Sequence, residues 1–283
     1  MLTFNIADIS INVSSAYSNS LEKLKKFSSP NKEKADLVIN LYKKDKLYFP
    51  KGDLILSEGF KWVRDYKNNI SICIDEDEGG EILSVLNVDK CWRTASITDI
   101  TSDLSNVDSL SSSLGEIVFR NNLLFHEGIV IHSSAIDYNG IGIIFTASSG
   151  TGKSTQANLW RLHKGATILN EDRPAIRIID KNPFVYGTPW SGSSEDFLNR
   201  KAPLAAIVIL EQYFENKLIK LTSQEAVPLL LPRCFLPYFD STLMLKALDN
   251  IEKILNATSV YLLKCKPDKE AVELVYQCMK SLE

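Results

Sequence analysis

Ile141-Gly142-Ile143-Ile144-Phe145-Thr146-Ala147-Ser148-Ser149-Gly150-Thr151-Gly152-Lys153-Ser154-Thr155 is the stretch on which the fold turns. Ile141 to Thr146 is almost wholly apolar and predicts a buried strand; a Gly- and Ser-rich loop follows, and Lys153 to Lys164 reads as a helix stopped by Gly165. Strand, glycine-rich loop and helix, with Lys then Ser at the helix start, is the order of a phosphate-cradling loop. Gly150 and Gly152 let successive backbone N–H groups turn toward one point, and the helix start adds its positive end. The expected ligand is ATP with Mg²⁺. Ser149, Gly150, Thr151, Gly152, Lys153, Ser154 and Thr155 are the expected phosphate-binding residues, Lys153 as a mobile charge and Ser154 as a hydroxyl for the metal. Ala147 stands where the usual pattern has its first glycine.

Downstream, Leu169-Asn170-Glu171-Asp172-Arg173-Pro174 places two adjacent carboxylates directly after a short strand. Adjacent side chains at a strand end point to opposite sides, so the pair can divide two roles, one toward Mg²⁺ and one toward an attacking hydroxyl. Upstream, His132 is expected inside one strand running from Gly128 to Ile136, on the face opposite Ile131, followed by a Tyr138-Asn139-Gly140 hairpin turn. A lone strand histidine is ordinarily structural. The loop from Tyr186 to Ser194, with Trp190 inside it, reads equally well as a cover over a ligand and as a plain turn. Arg233 is a candidate stabiliser of phosphate charge.

The wider chain has 283 residues, 45% of them hydrophobic, enough for one large core or two smaller ones. From Met1 to about residue 100 the patterns are mostly strands: Phe4 to Ile6, Ile9 to Val13, Ala35 to Tyr42, Leu47 to Phe49, Leu54 to Leu56 and Ile70 to Cys73. A Ser-, Asp- and Thr-rich stretch from Thr98 to Ser113 then marks the expected boundary, giving a mostly β domain over 1–100 and an α/β domain over 101–283. Lys and Arg number 32 against 35 Asp and Glu, a net charge of −3 with no basic stripe, which argues against nucleic acid as partner. No apolar run is long enough to cross a bilayer, and the opening residues lack the pattern of a secretory signal. Five widely spaced cysteines without a Cys-x-x-Cys pair fit reduced thiols, so a cytoplasmic protein away from membranes is expected.

With these motifs in place, Val130 to Arg173 resembles the catalytic core of HPr kinase/phosphorylase and, more distantly, that of phosphoenolpyruvate carboxykinase. There a strand carrying a histidine leads through a hairpin into the phosphate loop, and an Asp-Asp-Arg segment follows the next strand. Here His132 lies fifteen positions before Ala147, and Glu171-Asp172-Arg173 holds the acidic place. The resemblance implies an HPr-kinase-like domain in which Asp172 takes the proton of the acceptor hydroxyl, Glu171 joins Ser154 in holding Mg²⁺, and His132 lines the site beside Lys153. It is compatible with a homo-oligomer. It departs at Ala147, at Glu171 in place of the first Asp, and in lacking a loop that would grip the HPr protein. Gly187-Thr188-Pro189-Trp190-Ser191-Gly192 and the opening Phe4-Asn5-Ile6-Ala7-Asp8-Ile9-Ser10-Ile11 are more similar to HPr-kinase-related proteins associated with ribosomally made, modified peptides. That implies a kinase acting on a serine of a precursor peptide, with the N-terminal domain recognising the acceptor. A small metabolite such as an amino acid, sugar or polyol is the alternative acceptor, and a nucleotide-binding switch without transferase activity is the alternative of another class.

Overall fold

The computed structural model describes residues 1–15, 21–30, 34–57, 59–75, 80–101 and 110–280. It is a mixed α/β protein, and its contacts divide into two compact units, Met1–Leu123 and Leu124–Glu283. The division falls after Leu123, not near residue 100, because the helix that follows the first sheet is tied to it: buried Asn122 donates to the Trp92 carbonyl at 2.9 Å. Most of the Ser- and Asp-rich stretch expected at the boundary, 102–109, lies outside the described residues; so do 31 and 79, within the turn signals Ser29-Pro30-Asn31 and Gly79-Gly80, and 281–283, the end of the helix that Pro267-Asp268 predicts from Asp268 onward.

In the first unit the strands are β1 (Leu2–Ile6), β2 (Ile9–Ser15), β3 (Leu37–Lys44), β4 (Asp53–Leu56), β5 (Lys61–Arg64), β6 (Ile70–Asp75), β7 (Ile82–Val88) and β8 (Thr94–Ile100), with helices α1 (Glu22–Lys25) and α2 (Ser113–Leu123). They form one eight-stranded sheet in the order β1-β2-β3-β8-β7-β6-β5-β4. Alternation explains its sidedness: Leu37, Ile39 and Leu41 of β3 are buried while Val38 and Asn40 between them are partly exposed. Leu47 to Phe49, expected as a strand, is not one; Tyr48 there is 74% exposed and has no buried face to pair on.

The second unit holds the site. Its strands are β9 (Gly128–Val130), β10 (Ser133–Tyr138), β11 (Ile141–Thr146), β12 (Thr167–Asn170), β13 (Ala175–Ile179), β14 (Asn182–Tyr186), β15 (Lys201–Gln212), β16 (Lys217–Leu221) and β17 (Ser259–Cys265), and its helices are α3 (Lys153–Lys164), α4 (Ser223–Leu230), α5 (Ser241–Ala257) and α6 (Lys269–Lys280). The β10–β11 hairpin turns on Asn139 and Gly140, whose φ values of 51° and 86° match the twist of the flanking strands.

Strand β15 organises this unit because it is long enough to pair twice over. Its first residues pair antiparallel with β14, and the rest runs parallel to β11 on one side and to β17 on the other. Three parallel strands therefore end at one edge, at Thr146, Gln212 and Cys265. Parallel strands need helical crossovers and burial on both faces. Phe145, Val208, Tyr261 and Leu263 pack with Trp160 of α3 and Val272 and Val275 of α6, while Ile144, Ile207 and Ile209 point the other way and are equally buried. Helix α5 packs against β9, β13, β14 and β17.

The single strand expected from Gly128 to Ile136 is two. β9 pairs with β13, β10 pairs with β11 and β12, and the chain breaks between them at Ile131 and His132. An unbroken apolar run carries no mark of such a change of partner. Strand β17, which the sequence reading passed over, is central to the sheet. Replacing Leu263, fully buried there, by Ala should lower stability by about 2–5 kcal/mol, whereas Leu245→Ala, at a position 69% exposed, should change it by less than about 0.5 kcal/mol. Urea unfolding of the two variants checks the pair.

Candidate functional site

The site is built where β11 ends. The chain leaves Thr146, turns through residues 147–152 and enters α3 at Lys153. Gly152 is the N-cap residue with φ 113°, a left-handed conformation that other residues adopt only with strain, and no side chain caps the helix. The first-turn N–H groups thus have no side-chain cap among the described residues, the arrangement in which a helix start can receive an anion. Lys153 is buried at 8% exposure; burial pulls its ammonium below the ordinary lysine value, Asp172 pushes it back up, and Arg233 adds a lowering effect. The ammonium, Asp172 and Arg233 are thereby within electrostatic reach of one another.

Asp172 and His132 meet. His132 Nε2 lies 3.2 Å from Asp172 Oδ1, and Arg173 Nε donates to Asp172 Oδ2 at 3.1 Å. The hydrogen bond from His132 holds the Asp172 carboxyl below the usual carboxylate range; burial opposes this, and the Arg173 charge reinforces it. Glu171 turns elsewhere: its Oε1 accepts from Asn158 Nδ2 at 3.3 Å, and the same amide donates to the Ser154 carbonyl at 2.8 Å. Asn158 therefore links Glu171 to the start of α3. Among the described residues no group of three or more His, Cys, Asp or Glu side chains gathers to hold a metal ion. A hydroxyl at Ser154 and a single carboxylate at Glu171 fit a Mg²⁺ ion held mainly by phosphate oxygens and water.

The break at Ile131–His132 places the histidine. His132 N–H donates to the Arg233 carbonyl at 2.8 Å, the His132 carbonyl accepts from Thr146 Oγ1 at 2.9 Å, and Ser133 N–H donates to the Asp172 carbonyl at 3.0 Å. Arg233, brought in by that contact, reaches Ser148 Oγ with Nη2 at 2.8 Å, while its Nε is buried with no acceptor among the described residues. The segment around Trp190 also borders the site: Gly192 has φ 63°, and a Cβ there would lie 3.1 Å from Asp172 Oδ2.

One organising residue escaped the sequence reading. Asn170 is fully buried; its Oδ1 accepts from the N–H groups of Asp172 at 2.9 Å and Arg173 at 2.7 Å, and its Nδ2 donates to the carbonyls of Thr188 at 2.9 Å and Trp190 at 3.2 Å. Thr188 Oγ1 closes the circuit by donating to the Arg173 carbonyl at 2.7 Å. An Asn directly before a turn, able to accept from N–H groups two and three residues on, is the signal that could have found it.

No family model and no curated protein sequence matches the chain. Among solved structures, that of the Hpr(Ser) kinase/phosphatase from Coxiella burnetii is similar over 51% of this chain and 90% of its own length, at 8% sequence identity and a TM-score of 0.30. No helix among the described residues is long and apolar enough to cross a membrane.

Asn170→Ala should cost about 1–3 kcal/mol, because it leaves buried carbonyls and N–H groups without partners; thermal unfolding measures this. The Asp172 carboxyl has its own pH signature. Its folded value lies below the ordinary 3.8, so the unfolded chain binds the proton more readily and the stability it contributes is present above about pH 4. That contribution fades as pH falls through the folded value. Urea unfolding of wild type and Asp172→Asn from about pH 7 to pH 2.5 should therefore show a stability gap that closes on the acid side; a constant gap would contradict the assignment.

Proposed function

We propose that this protein is a kinase that transfers the γ-phosphoryl group of ATP, with Mg²⁺, to a hydroxyl, most favourably that of a serine in a peptide. The observation that carries this reading is the ionised Asp172 carboxylate, fixed by His132 and Arg173 beside an uncapped glycine loop whose Lys153 it feels electrostatically. A site that only bound nucleotide has less need of a carboxylate directed at a hydroxyl.

In this mechanism the N–H groups of residues 149–155 and the Lys153 ammonium hold the phosphates. Asp172 accepts the proton of the acceptor hydroxyl as its oxygen bonds to the γ-phosphorus; the bond from that phosphorus to the β–γ bridging oxygen breaks, and ADP leaves. His132 keeps the carboxylate oriented. The Arg233 guanidinium, whose buried Nε lacks an acceptor among the described residues, supports the charge on the transferring group. Ser154 and Glu171 are the residues that would hold Mg²⁺, which supplies neutralisation of phosphate charge when bound. Transfer of this kind needs positioning and charge stabilisation more than covalent chemistry, so few groups suffice.

The side chains of His132 and Asp172 are 36% and 23% exposed, which supports an acceptor carried on a chain over a metabolite sealed in a cavity. The test is transfer of label from γ-labelled ATP to peptide and small-metabolite fractions of a host-cell extract, with Lys153→Ala as blank. Label in peptide is the expected result; label in metabolite keeps the chemistry and changes the acceptor, and ATP binding without transfer overturns the kinase. Asp172→Asn should lower the rate at least about 10³-fold and Arg233→Ala about 10²-fold, with both proteins folded by circular dichroism.

A further inference from the structure

Beside the glycine loop lies a cavity of about 440 Å³ that Asp172 does not line. Besides the loop itself it is lined by Gln156, Leu210, Gln212, Tyr213, Cys265 and Pro267, so it opens where β15 and β17 reach the edge of the sheet. Crevices at the carboxyl ends of parallel strands are where α/β sheets receive ligands, and the volume falls in the range of small-molecule sites, about 300–1,000 Å³. Neither Asp172, His132, Glu171 nor Arg233 lines it, so an acceptor placed there would be out of reach of the base.

A second observation marks it as a ligand site. Gln156, on the first turns of α3, is 2% exposed, and its side-chain amide nitrogen is buried without a hydrogen-bond partner among the described residues. A buried donor left unpaired costs about 1–3 kcal/mol, so a donor kept on a cavity wall is matched when an acceptor enters the cavity. Of the rest of the lining, Leu210, Tyr213, Cys265 and Pro267 are apolar or aromatic, and Gln212 and Lys266 are polar. Burial pushes the Cys265 thiol up to about 11, so it is neutral near pH 7, and the Tyr213 ring, 41% exposed, stands at the rim.

We propose that this cavity is the nucleoside site, holding the ribose and base of the nucleoside triphosphate with Gln156 donating to the nucleoside and Tyr213 stacking on the base. The inference rests on the phosphate-loop reading above and adds a direction to it. Ser148, bonded to Arg233, does not line the cavity, whereas Gly150, Thr151, Gly152, Thr155 and Gln156 do, and Lys153 between them feels both Asp172 and Arg233. A triphosphate lying along the loop thus has its γ end at Asp172 and its α end at Gln156, which delivers the nucleoside to the cavity.

Calorimetric titration of the full chain with Mg·ATP and with inorganic tripolyphosphate, which lacks the nucleoside, tests this. Wild type should bind ATP more tightly than tripolyphosphate. Gln156→Leu should weaken ATP binding about five- to tenfold, and Tyr213→Ala, with folding checked by circular dichroism, about tenfold; neither should change the affinity for tripolyphosphate. Wild-type affinity for ATP in both variants overturns the nucleoside site while leaving the phosphate loop intact. Equal losses for ATP and tripolyphosphate also overturn it, since the side chains would then act on the loop. If wild type binds neither probe, the phosphate-loop reading fails and the nucleoside site with it.

Discussion

At Ile131 and His132 the chain leaves one set of strand partners before it has joined the next, and the polar backbone groups exposed by that change must still be satisfied. Ile131 N–H is taken by the Pro174 carbonyl, His132 N–H by the Arg233 carbonyl, the His132 carbonyl by Thr146, and Ser133 N–H by the Asp172 carbonyl. Four such bonds bring the end of β11, the acidic segment and the Arg233 turn to one place. The imidazole, the carboxylate and the guanidinium are neighbours because backbone groups a few ångströms away needed partners.

Asn170 does for the far side what the break does for the near side. Its carboxamide fixes the backbone of Asp172 and Arg173 and, through its other end, the segment around Trp190. The two adjacent carboxylates then diverge, Asp172 to His132 and Arg173, Glu171 to Asn158. One dipeptide thus sends its two carboxylates to different partners without a second loop to carry them.

The loop and helix of residues 141–165 could be read from the sequence because their requirements are local: an apolar run, two glycines with positive φ, a helix that begins at Lys153 and stops at Gly165. That the side chains of Glu171 and Asp172 diverge was legible for the same reason. What could not be read depends on distant partners. Nothing in Gly128 to Ile136 says that Val130 pairs with Ala175 while Ala135 pairs with Ile144. Strand β17 offers only a short apolar run, and its importance comes from lying between β15 and β16, some fifty residues away in sequence. The reach of Arg233 to Ser148 and the cavity at Gln156 follow from that arrangement.

Strand β17 also sets a schedule for synthesis. The sheet under the glycine loop is completed by β17 running parallel to β15, and the back of α3 is covered by α6, where Lys164 donates to Glu273 at 2.6 Å and lies 3.6 Å from the centre of the Tyr276 ring. As the nascent chain leaves the ribosome, β11 and α3 emerge more than a hundred residues ahead of these partners. Until Cys265 and Tyr276 are out, Phe145 and Trp160 lack the part of their packing that β17 and α6 supply, and the half-made unit exposes an apolar strand edge of the kind chaperones hold.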